Sequence, residues 1–393
     1  MSGSNLRQMY RKPLEGNKPT AVSVRVVYQD GTELNLNYVP AGITERYGTN
    51  PNQLFGLLVP EQSSFRIREL KSGKGGFSLT NVEDTYWAAE LLKYCQKPTA
   101  VIMKHENPCG AAQSDSLAES FLKAWYCDFV SAFGGAVGFN EPLDTEAAKL
   151  LVERLPDDSG FKHYIEVVAA PEFEEGVVDI LEQRKDLRVV RYEGFDSMPC
   201  YRGDVALPVL KTVGSMDDML ALEDRYLTRF RSPSDFLLRE VDGKTGLGVV
   251  TELQPTRMEL EDLLFAWYVS GVLRSNSVAI VKNGCVISPG TGKQARNFAV
   301  EDAIEKATRL YIESRSQGIG EYRNSIADYT PVGSVAASEA LFPEPDSVIA
   351  LSNAGIRVFA ETGGSIKDND IIKVANERNM VGIFTGERWF SHH

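Results

Sequence analysis

Residues 100–110 read AVIMKHENPCG, and this stretch decides the fold and locates the candidate site. Ala100–Met103 is short and apolar, which predicts a buried strand. Polar residues follow it, and Ser116–Trp125 then predicts a helix, because it opens with capping-box spacing and its apolar residues recur at helical intervals. We therefore interpret Lys104–Gly110 as the place where a buried strand ends and the chain turns toward a helix, the usual position for sites in open α/β sheets.

Lys104 and His105 are the candidate catalytic side chains of this segment. Neighbouring residues of a strand point to opposite faces, so both can serve one pocket only if the strand breaks here. Pro108 and Gly110 favour such a break. A histidine changes charge near neutral pH and suits a general base, while a lysine beside it can stabilise an oxyanion. Taken alone, the residues fit a surface pair in a loop equally well.

A zinc site would require this segment to match the signature of the zinc deaminases, which is H-x-E with P-C-x-x-C. In this chain Glu106 follows His105 directly, and Ala112 stands where the second cysteine is required. His105 and Cys109 alone do not make a zinc site, so we expect no metal and disfavour a hydrolase of the deaminase type.

The pattern along the rest of the chain is typical of an α/β protein with mixed sheets. Asn283-Gly284 is a strong hairpin signal between two short apolar runs. The predicted strands are Val22–Tyr28, Glu33–Tyr38, Ser277–Lys282, Cys285–Ser288, Ile356–Glu361 and Val381–Thr385, and the further predicted helices are Ala299–Tyr311 and Asp368–Asn376. The proline- and glycine-containing stretch 195–211 is the best domain boundary, and it leaves two halves of similar size without a clear sequence repeat.

Composition and charge restrict the class of protein. With 393 residues, 43% hydrophobic and 24% charged, the chain has the profile of a globular protein with a full core. Its formal charge of −12, without a lysine- or arginine-rich run, argues against nucleic acid as a partner. No apolar run approaches the roughly 20 residues that span a bilayer, so we expect no membrane partner. Residues 1–16 lack the apolar segment of a signal peptide, so we expect a cytoplasmic protein with its five cysteines reduced.

Three other turns are candidate ligand sites. Arg46-Tyr47 opens a polar turn with a cation suited to phosphate. GTGKQAR at 290–296 precedes a helix and can bind an anion there, although Ile287 and Gln294 occupy positions that rule out a P-loop. Thr362–Ser365 is either a tight turn or a place of close ligand approach. For each segment alone, an ordinary turn is the simpler interpretation.

Six motifs in order resemble a known family. They are RYGTNPNQ (46–53), VIMKHENPCGAA (101–112), SAFGGAVGFN (131–140), SNSVAIVKNG (275–284), GSVAAS (333–338) followed by LFP (341–343), and ETGGSIKD (361–368) through FTGERWF (384–390). The chain is similar to the transformylase part of the bifunctional purine enzyme that forms inosinate (IMP). In that enzyme, aminoimidazole carboxamide ribotide (AICAR) formyltransferase is joined to IMP cyclohydrolase. Because the chain begins some 45 residues before the first motif, we expect the cyclohydrolase domain to be absent.

This resemblance implies the fold, the activity and the partners. The fold would be two cytidine-deaminase-like, three-layer α/β/α domains without zinc, a duplication over residues 1–205 and 206–393, in an intertwined homodimer with active sites between subunits. The activity would be formyl transfer from 10-formyltetrahydrofolate to the 5-amino group of AICAR, with room for a monovalent cation such as K+. A separate IMP cyclohydrolase would then close the ring.

The resemblance also assigns site residues by motif position. His105 would be the general base, Lys104 its partner and transition-state stabiliser, and Asn276 catalytic support beside the formyl group. The residues expected to bind the nucleotide are Arg46, Tyr47, Gly134, Glu166, Arg296 and Arg388. The residues expected near the folate are Phe342, Asp346, Gly363 and Gly364.

One segment departs from the family's pattern. Where the family reads Phe-Phe-Pro-Phe-Arg-Asp, this chain has Leu-Phe-Pro-Glu-Pro-Asp at 341–346, so an aromatic residue and an arginine are replaced. The change leaves open a paralogous formyltransferase with a shifted donor or amine substrate. A non-catalytic nucleotide-binding protein of the same fold is the other alternative, and the retained Lys104-His105 pair argues against it, since binding alone does not require that pair.

Overall fold

The computed structural model describes residues 12–153, 155, 163–213 and 219–392. The first elements are β1 (Val22–Val27), β2 (Glu33–Pro40), β3 (Glu45–Tyr47) and β4 (Leu58–Pro60). Strands β1 and β2 pair antiparallel, which confirms the two strands predicted there, and β4 extends their small sheet beside β2. Residues 1–11, part of the segment used for the localisation prediction, lie outside the described residues.

The first half of the chain builds one side of a large sheet. Its elements are β5 (Arg66–Lys71), β6 (Phe77–Ser78), α1 (Leu79–Leu92), β7 (Thr99–Lys104), β8 (Asn107–Gln113), α2 (Leu117–Cys127), β9 (Gly135–Phe139), α3 (Thr145–Val152), β10 (Ile165–Ala170), α4 (Val177–Glu182) and β11 (Arg188–Glu193). Strand β7 and helix α2 confirm the strand and the helix predicted from the opening stretch. Ser116 caps α2 by accepting the Glu119 N–H, as the capping-box spacing predicted.

The second half builds the other side. Its elements are β12 (Val209–Val213), β13 (Met219–Glu223), β14 (Glu240–Val241), β15 (Lys244–Thr245), β16 (Gly248–Val249), α5 (Arg257–Val272), β17 (Val278–Lys282), β18 (Cys285–Gly290), α6 (Arg296–Ser316), α7 (Gly320–Ile326), β19 (Val335–Ser338), α8 (Asp346–Asn353), β20 (Val358–Glu361), α9 (Asp368–Glu377) and β21 (Val381–Phe384). The hairpin predicted at Asn283-Gly284 is confirmed as β17–β18. The other predicted elements are confirmed as α6, β20, α9 and β21, with changes at their ends.

A mixed sheet of twelve strands runs through both halves of the described chain. Its order is β16-β21-β20-β19-β17-β18-β8-β7-β9-β10-β11-β5. Strands β9, β10 and β11 are parallel, as are β19, β20 and β21, whereas each hairpin is antiparallel. The halves meet at β8 and β18, where Ala112 is paired with Cys285. The predicted α/β class with a mixed sheet is therefore confirmed.

One prediction about the opening stretch is wrong. The chain does not turn from Lys104 toward a helix, because β8 intervenes, and the strand breaks at His105-Glu106 rather than at Pro108 or Gly110. Pro108 and Gly110 lie inside β8. Packing explains the glycine: a Cβ on Gly110 would lie 1.9 Å from the carbonyl oxygen of Ala124 in α2. The candidate site is therefore the tip of a β-hairpin.

Helices α1 and α5 connect the two hairpins to one core. The helices contact each other, α1 packs on β7 and β9, and α5 packs on β17 and β19. The buried apolar side chains of both halves form one continuous cluster. All five cysteines are free. Within the ranges that the structure describes, no helix combines the length and the apolar character needed to cross a bilayer.

Candidate active site

The tip of the β7–β8 hairpin presents Lys104, His105 and Glu106. His105 and Glu106 have φ angles of 54° and 62°, a left-handed backbone that costs a residue other than glycine on the order of 1–2 kcal/mol. Asp84 of α1 stabilises this turn. Its Oδ1 accepts the Glu106 N–H at 2.7 Å, and the His105 backbone also hydrogen-bonds to the carboxylate. Asp84 is 5% exposed, whereas His105 is exposed, so a buried carboxylate supports a turn whose histidine lies at the surface.

Lys104 extends from the tip to the loop before β9. Its Nζ donates to the Phe133 carbonyl oxygen at 2.6 Å. The next residue, Gly134, has a φ of 80° and donates its N–H to the Tyr164 carbonyl oxygen at 2.6 Å. The rings of Phe133 and Tyr164 lie 5.4 Å apart. The structure therefore brings Lys104 and Gly134, two of the predicted site residues, side by side.

Arg46, Tyr47 and Glu166 gather near the N-terminus of α1. The Arg46 guanidinium lies 4.6 Å from the centre of the Tyr47 ring, and its Nη2 lies 3.4 Å from Asn81 Oδ1. The Asn81 amide donates to Glu166 at 3.0 Å, and Glu166 Oε2 lies 3.8 Å from Arg188 Nη1. Burial, followed by the charge of Arg46, lowers the pKa of Arg188. Asn81 thus connects Arg46 to Glu166, and Glu166 in turn lies near Arg188.

Asn276 and Arg296 belong to a buried network in the second half. Arg296 donates to Asn276 Oδ1 at 2.7 Å, to the Ser277 carbonyl oxygen at 2.9 Å, and to the Glu339 carboxylate. The Asn276 amide donates to the Lys293 carbonyl oxygen at 2.9 Å. Arg296 is 6% exposed and Glu339 is fully buried, so the ion pair is shielded from water. Arg296 and the Lys293 carbonyl together fix the direction of the Asn276 side chain.

The C-terminal tail packs beside this network. The Arg388 and Arg296 guanidinium groups lie 4.6 Å and 6.0 Å from the centre of the Phe390 ring. Two hydrogen bonds tie the tail to the segment before β17: the Ser275 N–H donates to the Ser391 carbonyl oxygen at 3.0 Å, and the Ser391 N–H donates to Ser275 Oγ at 3.1 Å. The exposed Arg388 therefore lies next to the network of the second half.

The Asn107 side chain joins the hairpin tip to this second half, and Glu106 Oε2 of the tip also lies 4.0 Å from Arg274 Nη2. Asn107 follows the turn, and its amide donates to the His105 carbonyl oxygen at 2.9 Å. Its Oδ1 accepts the Arg274 N–H at 3.0 Å and the Thr291 hydroxyl at 2.8 Å. His105 and the segment that carries Asn276 thus belong to one hydrogen-bonded unit.

The residues predicted near the folate lie around Glu361, at the end of β20. Glu361 Oε2 accepts the N–H groups of Phe342 at 3.1 Å and of Gly363 at 3.0 Å. Burial raises the pKa of Glu361 to about 7, and the nearby charge of Arg296 opposes this shift. The Phe342 ring is buried 5.8 Å from the Phe359 ring, so this side chain belongs to the core.

Two further predicted folate residues lie in neighbouring loops. Gly364 donates its N–H to Asp368 Oδ2 at 2.8 Å, and a Cβ placed on it would meet no atom within 4 Å. Asp346 is exposed at the start of α8, where its carboxylate accepts the Ser347 N–H at 2.7 Å. Asp346 and Gly364 are therefore exposed, whereas Phe342 and Gly363 are buried beside Glu361.

Acidic side chains surround the His105 turn. Burial, reinforced by the charges of Glu106 and Asp84, raises the pKa of Glu83 to about 7. Burial also raises the pKa of Asp84 to about 6, against the opposing effect of its hydrogen bonds to the turn. Groups that titrate near neutral pH beside a histidine can hold or move protons, which is common in active sites.

Sequence reasoning missed Asp84, Asn107, Arg188 and Glu339. Asn107 lies inside the quoted motif, and the polar residue directly after a predicted break was a signal that could have found it. The other three act on residues distant in the sequence. A single carboxylate or guanidinium in a helix or strand gives no signal until its partners are known.

Two sizeable cavities lie elsewhere. One of about 560 Å³ is lined mainly by apolar residues of β2, β4, α1 and the stretch 205–210, and the other, of about 740 Å³, lies against α5. Neither is lined by Lys104, His105 or Asn276. Among the residues that the structure describes, no group of three or more His, Cys, Asp or Glu side chains is placed to hold a metal ion.

Comparison with known proteins identifies the family. A family model for the AICARFT/IMPCHase bienzyme matches residues 29–306. The chain is 36% identical over 352 residues to a bifunctional purine biosynthesis protein PurH of Caldicellulosiruptor saccharolyticus, a match that covers 88% of this chain and 58% of that protein. Proteins of the same name from Persephonella marina and Aquifex aeolicus are 33% and 35% identical, with 89% and 88% of this chain and 59% of each relative covered. The chain thus spans little more than half the length of these relatives, and it belongs to the AICARFT/IMPCHase bienzyme family.

Proposed function

We propose that this chain is an AICAR formyltransferase that moves the formyl group of 10-formyltetrahydrofolate to the 5-amino group of AICAR in purine biosynthesis. The observation that carries the proposal is the hairpin tip, where Lys104 and His105 stand next to each other and Asn107 links them to the Asn276 segment. Family membership supports it, because the relatives are named as purine biosynthesis proteins.

The chemistry requires a base near the amine and a cation near the formyl oxygen. The amine of AICAR is a weak nucleophile, since its lone pair is drawn into the imidazole ring and the carboxamide. His105 takes the amine proton while the amine nitrogen bonds to the formyl carbon, and Lys104 stabilises the oxyanion that forms. The bond from the formyl carbon to N10 of the folate then breaks, and N10 takes up the proton that His105 accepted, which regenerates the base. Asn276 orients the amine and formyl group.

The nucleotide would be bound by the groups that cluster near the tip. Arg46 and Arg188 supply positive charge for the phosphate, Tyr47 supplies a ring beside them, and Glu166 fixes their arrangement through Asn81. The other groups proposed to line the nucleotide site are Gly134, Arg296 and Arg388. Gly134 is favoured because it adjoins the carbonyl that Lys104 contacts.

The folate would lie against the loops after β19 and β20. Gly364 leaves backbone accessible, Asp346 offers an exposed carboxylate, and Phe342 and Gly363 contribute through their backbone contacts with Glu361. We include a monovalent cation such as K+ in the proposed site, and exchange of K+ for Na+ in the assay tests it. Replacement of the family's aromatic residue and arginine by Glu344 and Pro345 is the feature that favours a shifted donor as the second candidate function.

The finer fold assignment is also part of the proposal: two duplicated cytidine-deaminase-like domains, three-layered and without zinc, over residues 1–205 and 206–393. The matching order of elements supports it, since each half has a helix, a hairpin, a helix and then strands alternating with helices. The sheet order also places the two hairpins back to back at the centre, with the parallel strands of each half outside them.

The assembly and cellular context complete the proposal. We propose an intertwined homodimer, as the family resemblance implies, in which a second subunit would cover the exposed His105. A separate IMP cyclohydrolase would consume the product, and both would act in the cytoplasm.

The test is formyl transfer from 10-formyltetrahydrofolate to AICAR, followed by release of tetrahydrofolate, with His105→Ala as the control. General-base help is worth roughly 10²- to 10⁴-fold, so kcat should fall by that factor while AICAR affinity changes little. Absence of turnover in the wild type while AICAR still binds would direct attention to a different formyl donor. Absence of AICAR binding would reject the proposed function.

A further inference from the structure

Asn107 makes three hydrogen bonds with one side chain, and they connect parts of the molecule that the sequence separates widely. Its amide donates to the His105 carbonyl oxygen at 2.9 Å. Its Oδ1 accepts the Arg274 N–H at 3.0 Å and the Thr291 hydroxyl at 2.8 Å. An asparagine is suited to this place because it supplies a donor and an acceptor in a fixed direction.

The second-half partners of Asn107 are themselves one rigid unit. The Gly292 N–H donates to the Arg274 carbonyl oxygen at 2.8 Å. The Asn276 N–H and side-chain amide both donate to the Lys293 carbonyl oxygen, at 3.1 Å and 2.9 Å. The segment before β17 and the loop after β18 are thus tied together on both sides of the Asn276 side chain, and Asn107 fastens this unit to the His105 turn.

We infer that Asn107 is a positioning residue that sets the place of His105 relative to Asn276. The inference rests on the proposed function, in which these two side chains act on the same pair of reactants. The His105 turn is also supported from the α1 side, where Asp84 accepts the Glu106 N–H, and Glu106 Oε2 lies 4.0 Å from Arg274 Nη2 of the second half. Asp84 belongs to the first half, and its hydrogen bonds to the turn do not reach the Asn276 segment. Asn107 bonds directly both to the turn and to that segment.

Three variants separate the contributions. Asn107→Leu removes all three hydrogen bonds with little change of size. Asn107→Asp removes the donor to the His105 carbonyl and keeps an acceptor for Arg274 and Thr291. Thr291→Val removes the hydroxyl that contacts Asn107 Oδ1 and the Arg274 carbonyl oxygen, without changing the hairpin. A small misplacement of reacting groups costs up to about 100-fold in rate, so we expect kcat to fall roughly 10- to 100-fold in Asn107→Leu and roughly 3- to 10-fold in the other two. AICAR affinity should change less than threefold.

A control variant shows whether loss of stability alone lowers kcat. Ser116→Ala removes the N-cap bond to the Glu119 N–H in α2 and leaves the tip untouched, so it should lower Tm and keep kcat. The measurement specific to positioning is the effect of each substitution on kcat in a chain that also carries His105→Ala. If Asn107 acts through His105, Thr291→Val and Asn107→Asp should lose most of their effect on kcat once His105 is alanine. An undiminished effect in that background would overturn the inference.

A measurement that needs no turnover distinguishes this inference from the proposed function. The ring resonances of His105, assigned by their loss in His105→Ala, should move in NMR spectra of Asn107→Asp and Thr291→Val and stay in place in Ser116→Ala. If the wild type fails to transfer formyl groups but these resonances move, the proposed function fails and the positioning role stands. If the resonances do not move, or kcat equals that of an active wild type, Asn107 does not position His105. Should Asn107→Leu fail to fold, the other two variants decide the question alone.

Discussion

The two hairpins at the centre of the sheet share one architecture. In each, an aspartate from the second turn of the preceding helix accepts backbone N–H groups of the tip. Asp84 of α1 accepts the Glu106 N–H at 2.7 Å. Asp262 of α5 accepts the N–H groups of Asn283 and Gly284, each at 2.7 Å. Because both hairpins are anchored in the same way, differences between their tips are not imposed by the scaffold.

The lysines that precede the two tips also correspond. Lys104 donates to the Phe133 carbonyl oxygen and Lys282 to the Val332 carbonyl oxygen, each at 2.6 Å, and both carbonyls lie in the loop before the next strand of the sheet. Lys282 additionally pairs with Asp328. The contact of Lys282 is structural, and Lys104 makes the same kind of contact. Its position alone therefore does not assign a chemical role to Lys104.

The tips themselves differ. Asn283-Gly284 is the residue pair that most readily adopts a two-residue hairpin loop with positive φ angles. His105-Glu106 adopts positive φ angles at both residues as well, against the preference of both side chains. Backbone strain of this kind is concentrated at functional sites, since elsewhere a better residue pair can replace it. The comparison therefore favours the first hairpin as the candidate site.

The surroundings of the tips differ in the same sense. The second tip borders a cavity of about 360 Å³ that is lined by Lys97, Lys123 and acidic residues, without a histidine. At the first tip, His105 is joined through Asn107 to the segment that bears Asn276. Equivalent positions in the two halves thus carry very different chemistry.

Exchange of the tips gives the largest expected effect. Replacing His105-Glu106 with the Asn-Gly pair of the other hairpin should lower kcat for formyl transfer by roughly 10²- to 10⁴-fold, because the base is lost. The same exchange should raise the unfolding free energy by about 1 kcal/mol, since the new pair suits the left-handed backbone. Steady-state kinetics and urea unfolding of one double variant measure both.

The reciprocal exchange is the matched control. Replacing Asn283-Gly284 with His-Glu should lower the unfolding free energy by about 1–2 kcal/mol and leave kcat within twofold. The comparison breaks if the exchanged first tip retains its activity, or if it loses stability as the second one does.

The lysines give an intermediate effect. Lys104→Met and Lys282→Met each remove a charged donor to a backbone carbonyl, so both should lower stability by about 1–2 kcal/mol. Only Lys104→Met should lower kcat, by roughly 10²- to 10³-fold, which is the usual effect of removing one oxyanion donor. Equal kinetics in the two variants would make Lys104 a second structural lysine and leave His105 without its partner.

Local sequence signals were sufficient for much of the fold. The Asn283-Gly284 hairpin and the Ser116 cap each depend on residues within a few positions, and both were predicted correctly. Strand β8 was missed because Pro108 and Gly110 are poor strand residues. Pro108 is tolerated because the pairing of β7 with β8 is irregular between Ile102 and Met103, and Gly110 fits because it packs against α2.

The candidate site was predictable in its parts and not in its connections. His105 and Lys104 stood out as residue types suited to acid–base work, and motif resemblance supplied Asn276 and Arg296. Pairing of β8 with β18 brings these residues together, and it joins positions more than 170 residues apart, Ala112 and Cys285. No periodicity encodes that pairing, so the cross-connection through Asn107 could not be foreseen.

The aspartates under the two tips give the smallest effect and the sharpest test of their shared architecture. Burial raises the pKa of Asp84 from its usual value to about 6, and it raises the pKa of Asp262 in the same direction. A carboxyl whose pKa is higher in the folded state binds protons more tightly there, so its contribution to stability falls as pH rises from about 4 through the folded pKa. Asp84→Asn keeps an acceptor for the Glu106 N–H and removes this titration.

The unfolding free energy of Asp84→Asn, relative to the wild type, should therefore increase between about pH 4 and pH 6, by on the order of 1–3 kcal/mol. Asp262→Asn should change with pH in the same direction, and the double variant should show the sum, because the two turns lie at opposite ends of the paired β8 and β18. Urea unfolding at several pH values measures each difference. If the difference in unfolding free energy does not change with pH for Asp84→Asn but does for Asp262→Asn, the hydrogen bonds of the His105 turn keep the Asp84 carboxylate charged despite its burial. Asp84 and Asp262 would then differ in the strength of their hydrogen bonds as well as in the residues they support.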